Sequence, residues 1–157
     1  MKRHAVPFIS ALILSVGLSS AEAQVGASAP AGATGVVQVG VAAAVRGSVQ
    51  ASSSGAVGTV LQSGQPVFLG QTISTGPNAG LQILLLDETV FTIGPNSSIA
   101  IDEFVYDPRS HKGKVGARVV QGAFRFVTGK IARKTPEDME VKLPAGTIGI
   151  RGTIAAG

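Results

Sequence analysis

The chain has 157 residues, a formal net charge of +4 and no cysteine, which excludes disulfides, thiol catalysis and cysteine metal sites. It contains one tyrosine and no tryptophan. A nucleic-acid surface would combine a dense basic face with aromatic side chains for stacking, so this composition argues against a nucleic-acid partner.

Residues 1–23 have the three parts of an export signal. The basic start Met1–His4 precedes an apolar stretch from Ala5 to Leu18, and Ala21–Ala23 forms a small-x-small cleavage site. The apolar stretch is shorter than the about 20 residues that usually cross a bilayer, and no second stretch is long enough for a transmembrane helix. We therefore expect a signal peptide over residues 1–23 and a periplasmic or secreted mature chain. The alternative is an uncleaved N-terminal anchor.

The rest of the chain divides into a short leader and one β domain. Residues 24–35 are rich in Ala, Gly, Ser and Pro and predict a flexible leader. From residue 36 to residue 157, short apolar runs alternate with Gly, Pro and Asn, which predicts an all-β fold. The expected architecture is an antiparallel sandwich or roll of short strands that resembles a jelly roll. The predicted strands are Val36–Val45, a short strand within Gly47–Gly58, Val57–Leu61, Val67–Phe68, Thr72–Ser74, Gly80–Leu86, Thr89–Ile93, Ser98–Val105, Lys114–Val120, Ala123–Thr128, Glu140–Leu143 and Thr147–Ile150.

Two matching turns punctuate the strands. Gly76–Asn78 reappears as Gly94–Asn96, and a strand pattern follows each copy. Proline presets φ at the first central turn position, and asparagine tolerates the less common backbone conformation that a turn needs next. Asp87-Glu88 predicts a tight hairpin, and Gln121-Gly122 predicts a turn or a bulge. No stretch after the signal shows helical periodicity, and we expect Thr135–Glu140 to be a polar loop.

Residues suited to catalysis or metal binding are few. His111 is the one histidine after the signal, and no serine elbow accompanies it, so a triad and a zinc site are not expected. The carboxylates form two clusters, which are Asp102, Glu103 and Asp107, and Asp87 and Glu88. Neither cluster has the spacing of a calcium loop. A carboxylate pair for glycoside hydrolysis, assembled from separate strands, is an alternative that the sequence leaves open. We predict no enzymatic activity, no cofactor and no metal.

An ordered set of motifs resembles the FecR domain, which is named after the ferric citrate regulator. The set consists of Gly70–Gly76, Leu81–Asp87, Thr89–Ile93, Gly94–Ile99, Gly122–Lys130, Pro144 and Ile148–Thr153. The resemblance covers residues 36–153 and implies an extracytoplasmic all-β domain. In the regulators that name the family, this domain relays a signal from an outer-membrane siderophore receptor to a cytoplasmic sigma factor.

The chain departs from those regulators at both ends. The regulators carry a cytoplasmic anti-sigma segment and a membrane helix before the domain, whereas this chain has a signal peptide there. The family pattern continues beyond Arg151-Gly152-Thr153, where this chain stops after four more residues. The domain over residues 36–157 is therefore expected to be either minimal or shortened at its C-terminus. For Arg151, Gly152 and Thr153 the alternatives are a docking contact and a structural turn.

Two functions fit these observations. The preferred one is an exported, non-catalytic binding or sensing module that contacts an envelope protein by edge-strand pairing and is linked to signal transduction. The alternative is a structural or surface module that binds cell-wall or extracellular polysaccharide, or that self-associates. Loss of Lys2, Arg3 and Glu22 would leave 11 basic and 8 acidic residues, a net charge of +3. The basic residues that motivate the alternative are Arg109, Lys112, Lys114, Arg118, Lys130, Arg133 and Lys134.

Overall fold

The computed structural model describes residues 36–54, 56–150 and 154–156, with side chains up to residue 150. The expected signal peptide, the leader and Arg151–Thr153 lie outside the described residues. The strands are β1 (Gln38–Arg46), β2 (Val49–Ser52), β3 (Thr59–Val60), β4 (Pro66–Phe68), β5 (Thr72–Thr75), β6 (Gly80–Leu85), β7 (Val90–Ile93), β8 (Ser98–Asp107), β9 (Lys112–Gln121), β10 (Phe124–Val127), β11 (Met139–Leu143), β12 (Gly146–Gly149) and β13 (Ile154–Ala156). A short helix, α1 (Lys130–Lys134), and a 3₁₀ turn at Pro136–Asp138 lie between β10 and β11.

The strands form two sheets. Sheet A has the order β13-β10-β7-β6-β1-β4, and sheet B has the order β12-β11-β9-β8-β5-β2-β3. Neighbouring strands are antiparallel except β9 and β11, which run parallel. The predicted all-β fold is therefore confirmed, with one parallel pair that the strand pattern did not indicate.

The core is built from the alternating faces of the strands. Leu81, Ile83 and Leu85 of β6 are buried, while the residues between them are exposed, as the period of a half-buried strand requires. Phe124 and Phe126 share the buried face of β10, and Arg125 between them is exposed. Buried residues from both sheets join in one hydrophobic cluster, which holds the two sheets together.

The two repeated turns are corners at which the chain crosses between the sheets. Gly76–Ala79 connects β5 of sheet B to β6 of sheet A, and Gly94–Ser97 connects β7 of sheet A to β8 of sheet B. Asn78 has φ 60° and Asn96 has φ 51°, the left-handed conformation that asparagine tolerates. The predicted turn chemistry is confirmed at both copies.

Hydrogen bonds join these corners to each other. The amide of Asn96 donates to the carbonyl of Gly76 at 3.2 Å. The buried hydroxyl of Thr75 donates to the Gly94 carbonyl at 2.6 Å and accepts from the Ser97 amide at 3.0 Å. Both turns therefore belong to one hydrogen-bonded scaffold at the same end of the domain.

Two further corners lie beside the repeated turns. Gly47, with φ 72°, leads from β1 to β2, and Gly122, with φ 92°, leads from β9 to β10. The carbonyl of Ser48 accepts from the Gly76 amide at 2.9 Å, and the carbonyl of Ala123 accepts from the Gly94 amide at 2.8 Å. The segment Gln121-Gly122 is thus a turn between sheets.

The expectation that no helix follows the signal was wrong. Residues Lys130–Lys134 form α1, whose Ile131 and Ala132 are buried, and the expected polar loop contains the 3₁₀ turn Pro136–Asp138. A helix of five residues is too short to show a periodic pattern, and tertiary packing stabilises it.

Candidate functional site

An apolar groove lies where the start of β1, the β6–β7 turn and the end of β8 meet. We call it the hairpin groove; its volume is about 510 Å³, and its lining includes Val37, Leu86, Phe104, Val105, Tyr106 and Lys130. Val37, Leu86 and Val105 are 48%, 53% and 63% exposed. Large apolar side chains that are exposed together in a groove are typical of a binding surface.

A buried carboxylate shapes the turn beside this groove. Asp87 is fully buried and accepts hydrogen bonds from the amide of Thr89 at 3.1 Å and from its hydroxyl at 2.8 Å. The Thr89 hydroxyl accepts from the amide of Gly129 at 3.0 Å, and the Lys130 amide donates to the Asp87 carbonyl at 2.6 Å. These bonds, which we call the Asp87 brace, fix the β6–β7 turn against the start of α1.

Gly129 has no room for a side chain in this brace. A Cβ atom there would overlap the carbonyl oxygen of Asp87 and the amide nitrogen of Thr89. Asp87 lies in the hairpin that the sequence predicts, but its contact with Gly129 was not predictable, because no local pattern indicates a contact between segments so far apart.

We expect Thr89→Val to lower the free energy of unfolding by about 2 kcal/mol, because the Gly129 amide and one Asp87 oxygen would lose their partner in a buried site. Urea unfolding of the mature chain measures this loss. Thr92→Val is the matched control on the same strand, because Thr92 lies on the half-buried outer face of β7. Equal losses in the two variants would contradict a special role for the brace.

An exposed ion pair links the β6–β7 turn to α1. Lys130 Nζ lies 2.6 Å from Glu88 Oε1, and Glu88 has φ 69°. The hydrogen bond from Lys130 is the main cause that lowers the pKa of Glu88, and the charges of Arg133 and His111 lower it further. A solvent-exposed pair contributes little to stability, so its main effect is to position the two side chains.

The β8–β9 turn is organised by Asp107. Its carboxylate accepts from the Arg109 amide at 2.9 Å and from the Ser110 hydroxyl at 2.6 Å, and these bonds, with the Ser110 hydroxyl first, lower the pKa of Asp107. His111 has φ 56°, and its amide donates to the Asp107 carbonyl at 2.8 Å. Lys134 Nζ donates to the Ser110 carbonyl at 2.7 Å, which ties α1 to this turn. Asp107 and His111 are thus turn residues.

The other carboxylates of β8 face cations on β9. Arg118 binds Asp102 through two hydrogen bonds of 2.7 and 3.1 Å, and Lys114 lies 3.3 Å from Glu103. The two carboxylates therefore have partners in the sheet. The described residues contain no group of three or more His, Asp or Glu side chains that could hold a metal ion.

The seven basic residues singled out from the sequence do not form one surface. Lys114 and Arg118 are paired with acids on sheet B. The other five lie on the β8–β9 turn, at the start of β9 and on α1, and among them Lys130 lines the hairpin groove. We call this group the basic rim; it comprises Arg109, Lys112, Lys130, Arg133 and Lys134.

Strand edges are present near the C-terminus. β12 is the last strand of sheet B, and β13 is the last strand of sheet A in the described part of the chain. Arg151, Gly152 and Thr153 come between these two strands and lie outside the described residues, so their role stays a prediction.

Comparison with known families agrees with the sequence motifs. The model of the family described as FecR protein matches residues 71–156, more than half of the chain. No curated protein and no solved structure shows significant similarity to the chain. Within the described residues, no helix is long and apolar enough to cross a membrane. The matched region runs from β5 to β13 and includes both repeated turns and the Asp87 brace, and the chain therefore belongs to the FecR family, whose domains are generally non-catalytic signalling domains.

Proposed function

We propose that this protein is an exported, non-catalytic sensing module that binds another protein of the cell envelope through the hairpin groove. Membership of the FecR family suggests a sensor or regulatory module, and domains of this family are typically periplasmic. The observation that carries the proposal is the cluster of exposed apolar side chains, Val37, Leu86 and Val105, in one groove. The export signal that the sequence predicts over residues 1–23 supports the proposed location outside the cytoplasm.

The groove and its rim define the chemistry of the partner. Leu86 and Val105 offer apolar area, and Tyr106 adds an aromatic side chain of the kind that is enriched at interfaces. The basic rim has five cations, of which only Lys130 is in an ion pair among the described residues. A partner segment with apolar residues next to acidic residues matches both features, because apolar anchors supply affinity and opposite charges orient the encounter.

The Asp87 brace supports this assignment. It holds the turn that carries Leu86 against the start of α1, which carries Lys130. An apolar anchor and a cation are therefore presented from a rigid frame, which lowers the entropy cost of binding.

Site-specific photo-crosslinking in cells tests the proposal. A photoreactive residue at position 86 or 105 of the full chain is expected to capture one envelope protein, through a segment that contains both apolar and acidic residues. Position 60 is the matched control, because Val60 is 59% exposed on β3 and does not line the groove. Capture at position 60 as strong as at position 86, or a captured segment without acidic residues, would refute the proposal. Capture of no protein would refute it as well.

Binding of the purified partner then measures the contribution of the groove. We expect Leu86→Ala to weaken binding by about tenfold, as expected for an anchor at the centre of an interface. Val60→Ala is expected to leave the affinity unchanged. The affinity for the partner should also fall as salt is added, because salt screens the basic rim. Unchanged thermal unfolding of both variants would show that any difference between them arises at the binding surface.

A further inference from the structure

A second surface with different chemistry lies on the outer face of sheet A. In the strand register, Arg125 of β10 is opposite Thr92 of β7, Thr92 is opposite Gln82 of β6, and Gln82 is opposite Ala44 of β1. Arg46 of β1 is opposite Gly80 of β6. Residues opposite each other in neighbouring strands share a face. The two arginines therefore lie on one face with small and polar residues between them.

A shallow groove of about 480 Å³ occupies this face. Arg46, Gln82, Thr92 and Arg125 are part of its lining, together with glycine and proline of the Gly94–Ser97 corner. β10 and β1 are three strand positions apart, which places the arginines roughly 14 Å apart across the sheet. We call this surface the arginine groove. Between the arginines, the outer face of the sheet carries small or polar residues, which are Ala44, Gly80, Gln82 and Thr92.

The arginines of this groove have no carboxylate on their own sheet. On sheet B, Arg118, Lys114 and Lys142 each lie within 3.3 Å of an acidic side chain. The described strands of sheet A contain no Asp and no Glu, and no ion pair of the described residues involves Arg46 or Arg125. These three cations of sheet B therefore have acidic partners, whereas the arginine groove keeps two positive charges available to a ligand.

We propose that the arginine groove binds a polysaccharide that carries carboxylates. A guanidinium group donates two parallel hydrogen bonds to a carboxylate, and the distance between Arg46 and Arg125 calls for an oligomer with repeated carboxylates. The Gln82 amide and the Thr92 hydroxyl can exchange hydrogen bonds with sugar hydroxyls. The groove has no aromatic platform among its lining residues, so recognition depends on charge, and a neutral glycan is not expected to bind.

An acidic peptide fits this surface less well. The groove crosses the face of sheet A through its inner strands β7 and β6, where backbone groups are already paired, so a peptide could not add a strand there. The exposed apolar anchors Leu86 and Val105 lie in the hairpin groove. A peptide bound in the arginine groove would therefore gain neither backbone hydrogen bonds by strand addition nor contacts with exposed apolar anchors.

Titration calorimetry with the purified mature chain tests this site. The probes are an oligomer of galacturonate, the corresponding neutral oligomer of galactose, and polyglutamate. We expect binding of the galacturonate oligomer only, with an affinity that falls as salt is added. No binding of galacturonate, equal binding of the neutral oligomer, or tighter binding of polyglutamate would overturn the proposal; the last result would assign the groove to an acidic peptide.

Matched variants locate the binding. Arg46→Gln and Arg125→Gln are each expected to weaken galacturonate binding by about tenfold, since each removes one charge-assisted contact. Lys142→Gln is the control, because it removes one positive charge from an exposed position of sheet B that lines neither groove. Equal affinities of Arg46→Gln, Arg125→Gln and the parent chain would overturn the site. The outcome is independent of the hairpin groove, because neither Arg46 nor Arg125 lines it.

Discussion

Phe126→Ala is expected to lower the free energy of unfolding by about 4 kcal/mol, since it removes a large side chain from a packed core and leaves a cavity. Phe126 is 1% exposed, and its ring centroid lies 5.7 Å from that of Phe91 and 6.3 Å from that of Phe124. Because β10 pairs with both β7 and β13, the cavity would open at the centre of a set of paired strands. Urea unfolding of the mature chain measures the loss.

Phe68→Ala provides the matched control for the core variant. Phe68 is only half-buried and lies on β4, the edge strand of sheet A. Phe68→Ala should therefore lower the free energy of unfolding clearly less than Phe126→Ala, because water and neighbouring side chains can fill the space left at Phe68. A loss at Phe68 as large as the loss at Phe126 would contradict the assignment of Phe126 to the centre of the core.

Gly129→Ala is expected to lower the free energy of unfolding by about 3 kcal/mol, because the new methyl group would overlap the Asp87 brace. The atoms in its way are the Asp87 carbonyl oxygen and the Thr89 amide nitrogen, with an Asp87 carboxylate oxygen at 2.7 Å. Two of these are backbone atoms, so the turn would have to move away from α1. Urea unfolding measures the loss of stability, and faster amide exchange at Glu88 would report the opened turn.

Gly149→Ala is the control for this substitution. No atom lies within 4 Å of a Cβ built at Gly149, and the residue belongs to the edge strand β12. We expect Gly149→Ala to change the free energy of unfolding by less than about 0.5 kcal/mol. If Gly129→Ala were as stable as Gly149→Ala, the brace would be loose enough to accept a side chain, contrary to the structure.

The two proposed binding surfaces differ in chemistry and would bind different ligands. The hairpin groove joins apolar area to a basic rim, whereas the arginine groove offers two cations on a floor of small and polar residues. They are lined by different residues, so variants of one should leave the other intact. A sensing module with both surfaces could bind a protein and an anionic polysaccharide at the same time.

Turn chemistry and strand patterns were predictable because they depend on neighbouring residues. Asparagine after proline predicted two turns, and both Asn78 and Asn96 have positive φ. The predicted strand Ala123–Thr128 is present as β10, whose alternate residues Phe124 and Phe126 share a buried face. The order of these local signals was also sufficient to predict the FecR family.

Contacts between distant segments were not predictable in the same way. The repeated turns indicated β structure, but the hydrogen bonds of Thr75 to Gly94 and Ser97 depend on how two corners of the chain meet. The helix α1 was missed because burial of Ile131 and Ala132 stabilises it, and five residues are too few for a periodic signal.

The charged residues show most clearly which features the local sequence determines and which depend on tertiary contacts. Composition and local pattern were enough to predict an all-β chain of low charge, without cysteine and with a set of basic residues after residue 108. Which cations are neutralised depends on strand pairing, which places Arg118 beside Asp102 and Lys114 beside Glu103. The same pairing brings Arg46 and Arg125 to one face of sheet A, away from any carboxylate of its described strands. Charge neutralisation and burial arise from contacts between residues far apart in the chain, so the folded domain alone reveals where a ligand can bind.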